Sequence, residues 1–343
     1  MVALTHRRTA QAAALIFIVC IGLAAAGCGS SSSSKASSAS SKVSGTVNVA
    51  YASSLQYLNE KVAGPAFTKA TGYKFSGFAN SSGTLESDIA GGEIHPNVFE
   101  SVGGDNITPL FPKFTKWYAQ YAGTSMVVAY NPNGKYASKF KAIADGTEPL
   151  QDLFTLLQTP GLKLGRTDPN ADPQGRDFIF MLELAQSHYN LPNDTVTKII
   201  GSPVNSSTSS QIFAESSLDS TLQSGQLDAA SAFVTQAIEL HLAYVPLPTS
   251  INLGDFAQAS TYQKATISIT PPGGAATTKS GSPQVIDITI IGKPTAAAIA
   301  FVKWTLSQAG LAIYKQGGFS LLPPTVTGPS SAIPAAINSE LGG

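Results

Sequence analysis

Three short stretches carry small polar side chains in a pattern suited to holding an anion: Ser53-Ser54, Ser81-Ser82 and Asp172-Pro173-Gln174-Gly175. Each stands where a strand-like run gives way to a helix-like one, and Pro173 suits a first helical turn. Helix N-termini present unpaired N–H groups and a partial positive charge. Three of them converging on one cleft would hold an oxyanion without any lysine. Serine hydroxyls beside them add donors that rotate to suit the ligand. Taken singly, each serine is an ordinary helix cap. The recurrence at successive strand–helix junctions is what points to binding.

Catalytic chemistry has less support. Beyond residue 28 the histidines are His95, His188 and His241, and none falls in a His-Glu-x-x-His motif. No G-x-S-x-G elbow, P-loop or G-x-G-x-x-G occurs. Asp168 and Asp172 lie four apart, but a glycosidase needs two carboxylates facing each other across a substrate, and no second partner is evident. The expectation is a binding protein, not an enzyme, with no cofactor.

The first 45 residues say where such a protein works. Arg7-Arg8 precede an apolar run from Ala12 to Ala26, closed by Ala25-Ala26-Gly27-Cys28. A basic start, a short apolar middle and small residues at the break describe a secretory signal over 1–27, too short to span a membrane. The break is similar to a bacterial lipobox, in which Cys28 is lipidated and becomes the new N-terminus. A cleaved, unlipidated signal is the alternative, because Ala25 stands where Leu is preferred. Residues 28–45 are dominated by serine and read as a flexible tether.

The remaining 300 or so residues suffice for two domains or one large one. Hydrophobic residues make up 43% of the chain and charged ones 12%, so a core is available and the surface is sparsely charged. Lys+Arg and Asp+Glu are both 21, and losing Arg7 and Arg8 leaves 19 against 21. No basic field exists to attract nucleic acid or anionic lipid. The two cysteines are Cys20 and Cys28, so no disulfide or thiolate metal site is expected beyond the leader.

Thr46–Tyr51 alternates like a strand, Leu55–Thr71 has helical apolar spacing ending at Gly72, and Tyr73–Phe78 is a second strand. A short helix, Leu85–Ala90, and a third strand, Val98–Val102, complete a βαβαβ start that implies a parallel, doubly wound sheet. Ligands in such sheets sit at the carboxyl ends of strands, where both serine pairs fall. Further strands are expected at Ser125–Tyr130, Leu162–Gly165, Asp228–Phe233, Thr266–Thr270 and Val285–Ile291, with Pro271–Pro283 as a Gly/Pro loop. Helices are expected at Leu150–Leu157, Asp177–Tyr189 and Ile212–Ser224. A single amphipathic helix, Thr295–Gln316, should open with Pro294 in its first turn and end at Gly317-Gly318.

The chain resembles the extracellular solute-binding proteins of molybdate/tungstate ABC transporters, especially the branch first described in archaea. Val49-Ala50-Tyr51-Ala52-Ser53-Ser54-Leu55 resembles the family's opening strand end, and Phe78-Ala79-Asn80-Ser81-Ser82 its second serine element. Arg166-Thr167-Asp168-Pro169-Asn170-Ala171-Asp172-Pro173-Gln174-Gly175 is the most distinctive match. Gly225-Gln226-Leu227-Asp228-Ala229-Ala230, Tyr244-Val245-Pro246-Leu247-Pro248 and Ile299-Ala300-Phe301-Val302-Lys303-Trp304 through Gly317-Gly318-Phe319 continue it.

The resemblance implies a type II periplasmic-binding-protein fold: two doubly wound α/β lobes joined by a two-strand hinge, with lobe 1 formed by 46–125 and 285–343 and lobe 2 by 126–284. It implies ligand donors at Ser54 and Ser82, with Ser53, Ser81 and Ser125 beside them, and Asp172 and its neighbouring amides closing from the second lobe. In archaeal-type members an Asp and a Glu also ligate the Mo or W centre. Asp172 matches that Asp, but the Glu position is Ala232, an adjoining aromatic is Ser231, and Arg176 replaces a Tyr.

These departures favour a tetrahedral oxyanion held by hydrogen bonds, with Asp172 turned aside or paired with Arg176, because a bare carboxylate would repel a dianion. Arg176 is either an additional fork-shaped anion donor or a solvated residue of the first turn. The implied role is that of a monomeric, lipid-anchored receptor at the cell surface or in the periplasm, delivering molybdate or tungstate to the membrane permease of an ABC importer. The alternatives are another small anion (sulfate, phosphate or an organic anion) or, on the same fold, an enzyme or adhesion module.

Overall fold

The computed structural model describes residues 44–341. The expectations for the leader, for Cys28 and for the tether up to Val43 lie outside the described residues. From Thr46 the chain runs as β1 (Thr46–Ala52), a 3-10 turn (Ser53–Leu55), a π-helical stretch (Leu58–Ala63), α1 (Gly64–Thr71), β2 (Lys74–Asn80), α2 (Ser82–Gly91) and β3 (Val98–Val102). The expected helix from Leu55 thus changes its winding part-way. Gly64 continues it with no room for a side chain, since a Cβ there would press on the Phe75 ring. Gly72 ends it in the left-handed region at φ 82°, as a C-terminal glycine does.

After β3 come a 3-10 turn (Gly104–Asn106), β4 (Tyr118–Gly123) and β5 (Met126–Tyr130). Then follow α3 (Ala137–Ala144), α4 (Gln151–Leu157), β6 (Leu164–Gly165), α5 (Pro173–His188), α6 (Thr195–Ile200), α7 (Glu215–Gln223), β7 (Ala229–Phe233), α8 (Val234–Glu239) and β8 (Ala243–Val245). The chain continues through α9 (Ala259–Tyr262), β9 (Thr266–Ile269), β10 (Thr277–Ser280), β11 (Val285–Ile290), α10 (Ala296–Leu306), α11 (Gln308–Gln316), β12 (Ser320–Thr327) and α12 (Ala335–Asn338).

Two main sheets result. The first has the order β12-β4-β11-β3-β1-β2. Its β2-β1-β3 half is parallel, and β11, β4 and β12 add antiparallel strands. The second has the order β6-β7-β5-β8, with β6 parallel to β7 and the other pairs antiparallel. The chain passes between the sheets twice, once from β4 to β5 and once into β11. These two segments meet where Thr124 donates its N–H to the Gln284 carbonyl at 3.1 Å.

Several elements depart from the sequence reading, among them α2 and α5, which begin three and four residues earlier than expected, at Ser82 and Pro173. The expected helix Thr295–Gln316 is two helices bent by 62°. Ser307 is extended there (ψ 161°) and its Oγ caps α11 by accepting the Gly310 N–H at 3.3 Å. Thr295, not Pro294, opens α10, its Oγ1 accepting the Ala298 N–H at 3.1 Å. The expected Gly/Pro loop contains β10, paired with β9. The expected helix from Ile212 begins at Glu215, because Ile212 bridges to Arg166.

Packing follows the layers. Phe67 of α1 meets Phe301 and Trp304 of α10 edge-on at 5.1 and 5.8 Å, a favoured aromatic geometry. On one face of the second sheet, Val127, Ala129, Ala230 and Ala232 form an apolar cluster with Leu218 and Leu222 of α7. Ala232 is fully buried in that cluster.

Candidate functional site

In the first lobe the parallel strands deliver their carboxyl ends to one edge of the sheet. Ser53 and Ser54 follow β1, Ser82 begins α2 after β2, and Gly104–Asn106 follows β3. Ser54 is buried and its hydroxyl has no protein partner. Ser82 is buried with its Oγ accepting the Val102 N–H at 3.2 Å. Ser53 is half-buried and lines a cavity of about 350 Å³ beside Ser54. Ser81 is spent locally: its hydroxyl donates to Thr84 Oγ1 at 2.7 Å.

The second lobe approaches through the Arg166–Gly175 stretch. Asp172 caps α5, its Oδ1 accepting the Gln174 N–H at 2.9 Å, and Pro173 takes the first helical position. Gly175 is there because a Cβ would strike the Thr167 carbonyl. Burial pushes the Asp172 carboxyl up to about 6, against the Gln174 N–H, the Arg176 cation and Thr167, which draw it down. Thr167 and Gln174 are each 1% exposed.

Arg176 is 5% exposed, so the solvated first-turn reading does not hold. Its Nη2 donates across the cleft to Asn106 Oδ1 at 3.5 Å. Asp172 and Arg176 form no salt bridge, so the pairing alternative is replaced by a carboxylate turned back onto its own helix. At Asp105, burial disfavours ionisation, but the Arg176 and Lys279 cations outweigh it and hold the carboxyl below its usual range. Asp177, next along α5, is buried with Oδ2 unpartnered, and burial drives its carboxyl well up.

Sequence reasoning missed the polar network that closes the rear of the site. Glu215, at the start of α7, is buried. Its Oε1 accepts from Gln236 Nε2 at 2.9 Å and Gln174 Nε2 at 3.3 Å. Gln174 Nε2 also donates to Gln236 Oε1 at 2.7 Å, and Ser231 Oγ donates to Gln174 Oε1 at 3.0 Å. The Phe233 N–H fixes the Gln236 Oε1 end at 2.9 Å. A lone Glu after a Ser/Asn loop gave no signal at the sequence level. Gln174, inside the matched motif, and Ser231, at a matched position beside Ala232, were the network members with a recognisable address.

Ser125 is placed elsewhere. It stands between β4 and β5, its carbonyl accepting the Val234 N–H at 2.8 Å, and its Cβ faces Gly254. No hydrogen bond joins its side chain to the other site residues.

The lobes touch at several points around the cleft. Gly83 N–H donates to the Ala171 carbonyl at 3.1 Å, Lys279 pairs with Asp105 at 2.6 Å, and Ser87 Oγ donates to the Pro272 carbonyl at 3.0 Å. Hydroxyls, a guanidinium and the α5 N-terminus can bind an oxyanion between them. Among the described residues no group of three or more His, Cys, Asp or Glu is arranged to hold a metal ion.

Two α/β lobes meet here across a cleft bordered by hydroxyls, a guanidinium, a helix N-terminus and buried carboxyls. The family model described as bacterial extracellular solute-binding protein matches residues 47–320, and the chain belongs to that family. It is a family of binding proteins, not of enzymes. A stretch covering 63% of this chain is 28% identical to an uncharacterised solute-binding protein of Petrotoga mobilis. A stretch covering 48% is 35% identical to a putative ABC transporter molybdenum-binding protein of Haloferax volcanii. The molybdate/tungstate-binding protein WtpA of Pyrococcus abyssi is 26% identical over 63% of the chain. The matched stretches span 64%, 48% and 65% of these relatives, under two thirds of each. Among solved structures, the periplasmic molybdate-binding protein of Azotobacter vinelandii shares the fold, with TM-score 0.51 and 19% identity over 80% of this chain and 99% of its own.

Proposed function

We propose that this chain is the receptor of an ABC importer and binds molybdate or tungstate in the cleft between lobe 1 (46–125 and 285–343) and lobe 2 (126–284). The observation that carries this reading is the approach of the α5 N-terminus to the first lobe: Arg176 reaches Asn106, the Ala171 carbonyl meets the Gly83 N–H beside Ser82, and Gln174 is joined through Glu215 to Ser54. These groups offer a free hydroxyl, an under-used guanidinium and a helix dipole to a small anion. The names of the relatives from Haloferax volcanii and Pyrococcus abyssi support the choice of anion. Binding closes the lobes about the two crossing segments, and the permease reads the closed form. Lipidation at Cys28 ties the receptor to the membrane, with residues 28–45 as the tether.

Sulfate or phosphate is the second reading. The carboxyl groups of Asp172 and Glu215 favour phosphate, whose protonated forms carry an O–H for a carboxylate to accept; sulfate carries none and would rest on the donors alone.

A thermal-shift panel at constant ionic strength tests both. Molybdate and tungstate at about 100 times their dissociation constants should add about 2.7 kcal/mol of stability. A response confined to sulfate or phosphate transfers the site to the second reading. Silence from all of them overturns oxyanion binding. Mass spectrometry of the membrane fraction tests the anchor: an unmodified Cys28 would refute it.

A further inference from the structure

We propose that Glu215 is the specificity-determining residue of the cleft: its carboxyl carries a proton and shares it with the bound oxyanion, so the site favours oxyanions basic enough to take it. The proposal rests on the oxyanion reading above.

Glu215 is held in place from several sides. It starts α7, is 6% exposed, and its Oε1 receives the amide nitrogens of Gln174 and Gln236 at 3.3 and 2.9 Å. Those amides cannot rotate to offer their oxygens instead. Ser231 Oγ fixes Gln174 Oε1 and the Phe233 N–H fixes Gln236 Oε1. Glu215 lines the same cavity of about 350 Å³ as Ser54, whose hydroxyl is unpartnered. The carboxyl therefore lies beside one of the ligand's donors with its orientation set by the second lobe.

Its charged surroundings are mostly of one sign. Asp172 faces it from α5 and Asp219 from its own helix. Across the cavity stand Glu60 and Lys61 of the π-helical stretch and Glu239 of α8. None of the salt bridges among the described residues includes Glu215. Burial first, then Asp172 and Asp219, push its carboxyl well up, against the Gln236 amide and the Ser54 N–H.

An ionised Glu215 beside a dianion would be repelled. A protonated one donates a short, charge-assisted O–H···O⁻ hydrogen bond instead. Above the pH at which Glu215 ionises in the free protein, that proton is taken up from solvent, one with each anion bound. Selectivity follows from ligand basicity. Phosphate, molybdate and tungstate are conjugate bases of weaker acids than the hydrogensulfate ion, so sulfate gains least from the shared proton.

Calorimetric titration of the full chain with molybdate and with sulfate, from about pH 5.5 to about pH 8.5, tests this across the span in which raised carboxyls titrate. Molybdate affinity should fall as pH rises, by up to about tenfold per pH unit, the limit for one linked proton. Buffers of different ionisation enthalpy should report that proton's uptake. Glu215→Gln should flatten the pH dependence and shrink the preference for molybdate over sulfate by about tenfold or more. Glu148→Gln, which alters an exposed acid between α3 and α4 that lines a different cavity, should keep both.

A Glu215→Gln protein that keeps the slope and the preference overturns the assignment, as does a slope abolished only by Asp172→Asn. Tight binding of molybdate that ignores pH overturns proton sharing while leaving the receptor reading intact. Failure of all oxyanions to bind at every pH overturns both.

Discussion

Asp172 and Arg176 stand one helical turn apart at the start of α5 and do not pair. The Asp172 carboxyl turns back to the Gln174 N–H at 2.9 Å, while Arg176 reaches across the cleft to Asn106 Oδ1 at 3.5 Å. The separation gives each group its own task. The carboxylate completes the N-terminus of α5 and adds its charge where the helix dipole favours it. The guanidinium keeps its donors uncommitted. Five N–H groups are available, and one long contact to an amide oxygen leaves most of the fork open to an anion.

Arg176→Ala should weaken oxyanion binding by about tenfold to a hundredfold, the usual worth of a charge-assisted hydrogen bond, about 1.5–3 kcal/mol. Arg176→Lys should recover only part of the loss, because an ammonium cannot reproduce the planar fork. Calorimetric dissociation constants decide the matter. An alanine variant with wild-type affinity would remove Arg176 from the site.

The two serines should separate into different phenotypes. Ser54 Oγ has no protein partner, so Ser54→Ala should leave unfolding stability within about 0.5 kcal/mol and lower anion affinity. Ser82 Oγ accepts the buried Val102 N–H. Ser82→Ala strands that donor and should cost about 1–3 kcal/mol of stability as well as affinity. Urea unfolding and titration of both variants provide the comparison, and equal stability losses would contradict it.

Much of the first lobe was legible because its signals are local. Alternation in Thr46–Tyr51, helical spacing up to Gly72 and serines at both junctions all depend on short-range pattern. The Asp172-Pro173 cap was legible for the same reason. What escaped depends on contacts distant in sequence. Glu215 meets Gln174 and Gln236 only because α5, α7 and β7 converge, and no spacing rule connects positions 41 and 21 residues apart. The break at Ser307 was hidden because the apolar pattern runs on across it, while one serine turns the chain. β10 was hidden by composition: Thr277–Ser280 is mostly exposed and carries no apolar alternation.

Gly83 tests whether the lobes must meet. Its N–H donates to the Ala171 carbonyl at 3.1 Å, and a Cβ at this position would strike that same oxygen. The clash crosses the cleft, so Gly83→Ala should fold normally in a more open form. Anion affinity should fall by about tenfold or more, since an obstructed closed state taxes binding in proportion to its lost population. X-ray scattering should show no contraction on adding molybdate. A variant that both contracts and binds like the wild type would show that this contact is dispensable.

Asp172 should make stability depend on pH in a definite direction. Its carboxyl is pushed up to about 6 in the folded protein, against about 3.9 in an unfolded chain. Between these values the native state holds more protons than the unfolded one, so stability falls as pH rises from about 4 to about 6 and levels off above. Burial raises Asp219 to about 6 as well, and its effect has the same sign. Asp172→Asn keeps an effective cap, because Asn serves about as well as Asp at that position, and removes the charge. The variant should match the wild type near pH 4 and exceed it at pH 7 by up to about 3 kcal/mol. Urea unfolding at the two pH values measures this. A variant less stable than wild type at pH 7 would mean that Arg176 and the helix dipole more than offset the burial of the charge. A gain would mean that this residue of the cleft is kept at the expense of stability, as functional residues often are.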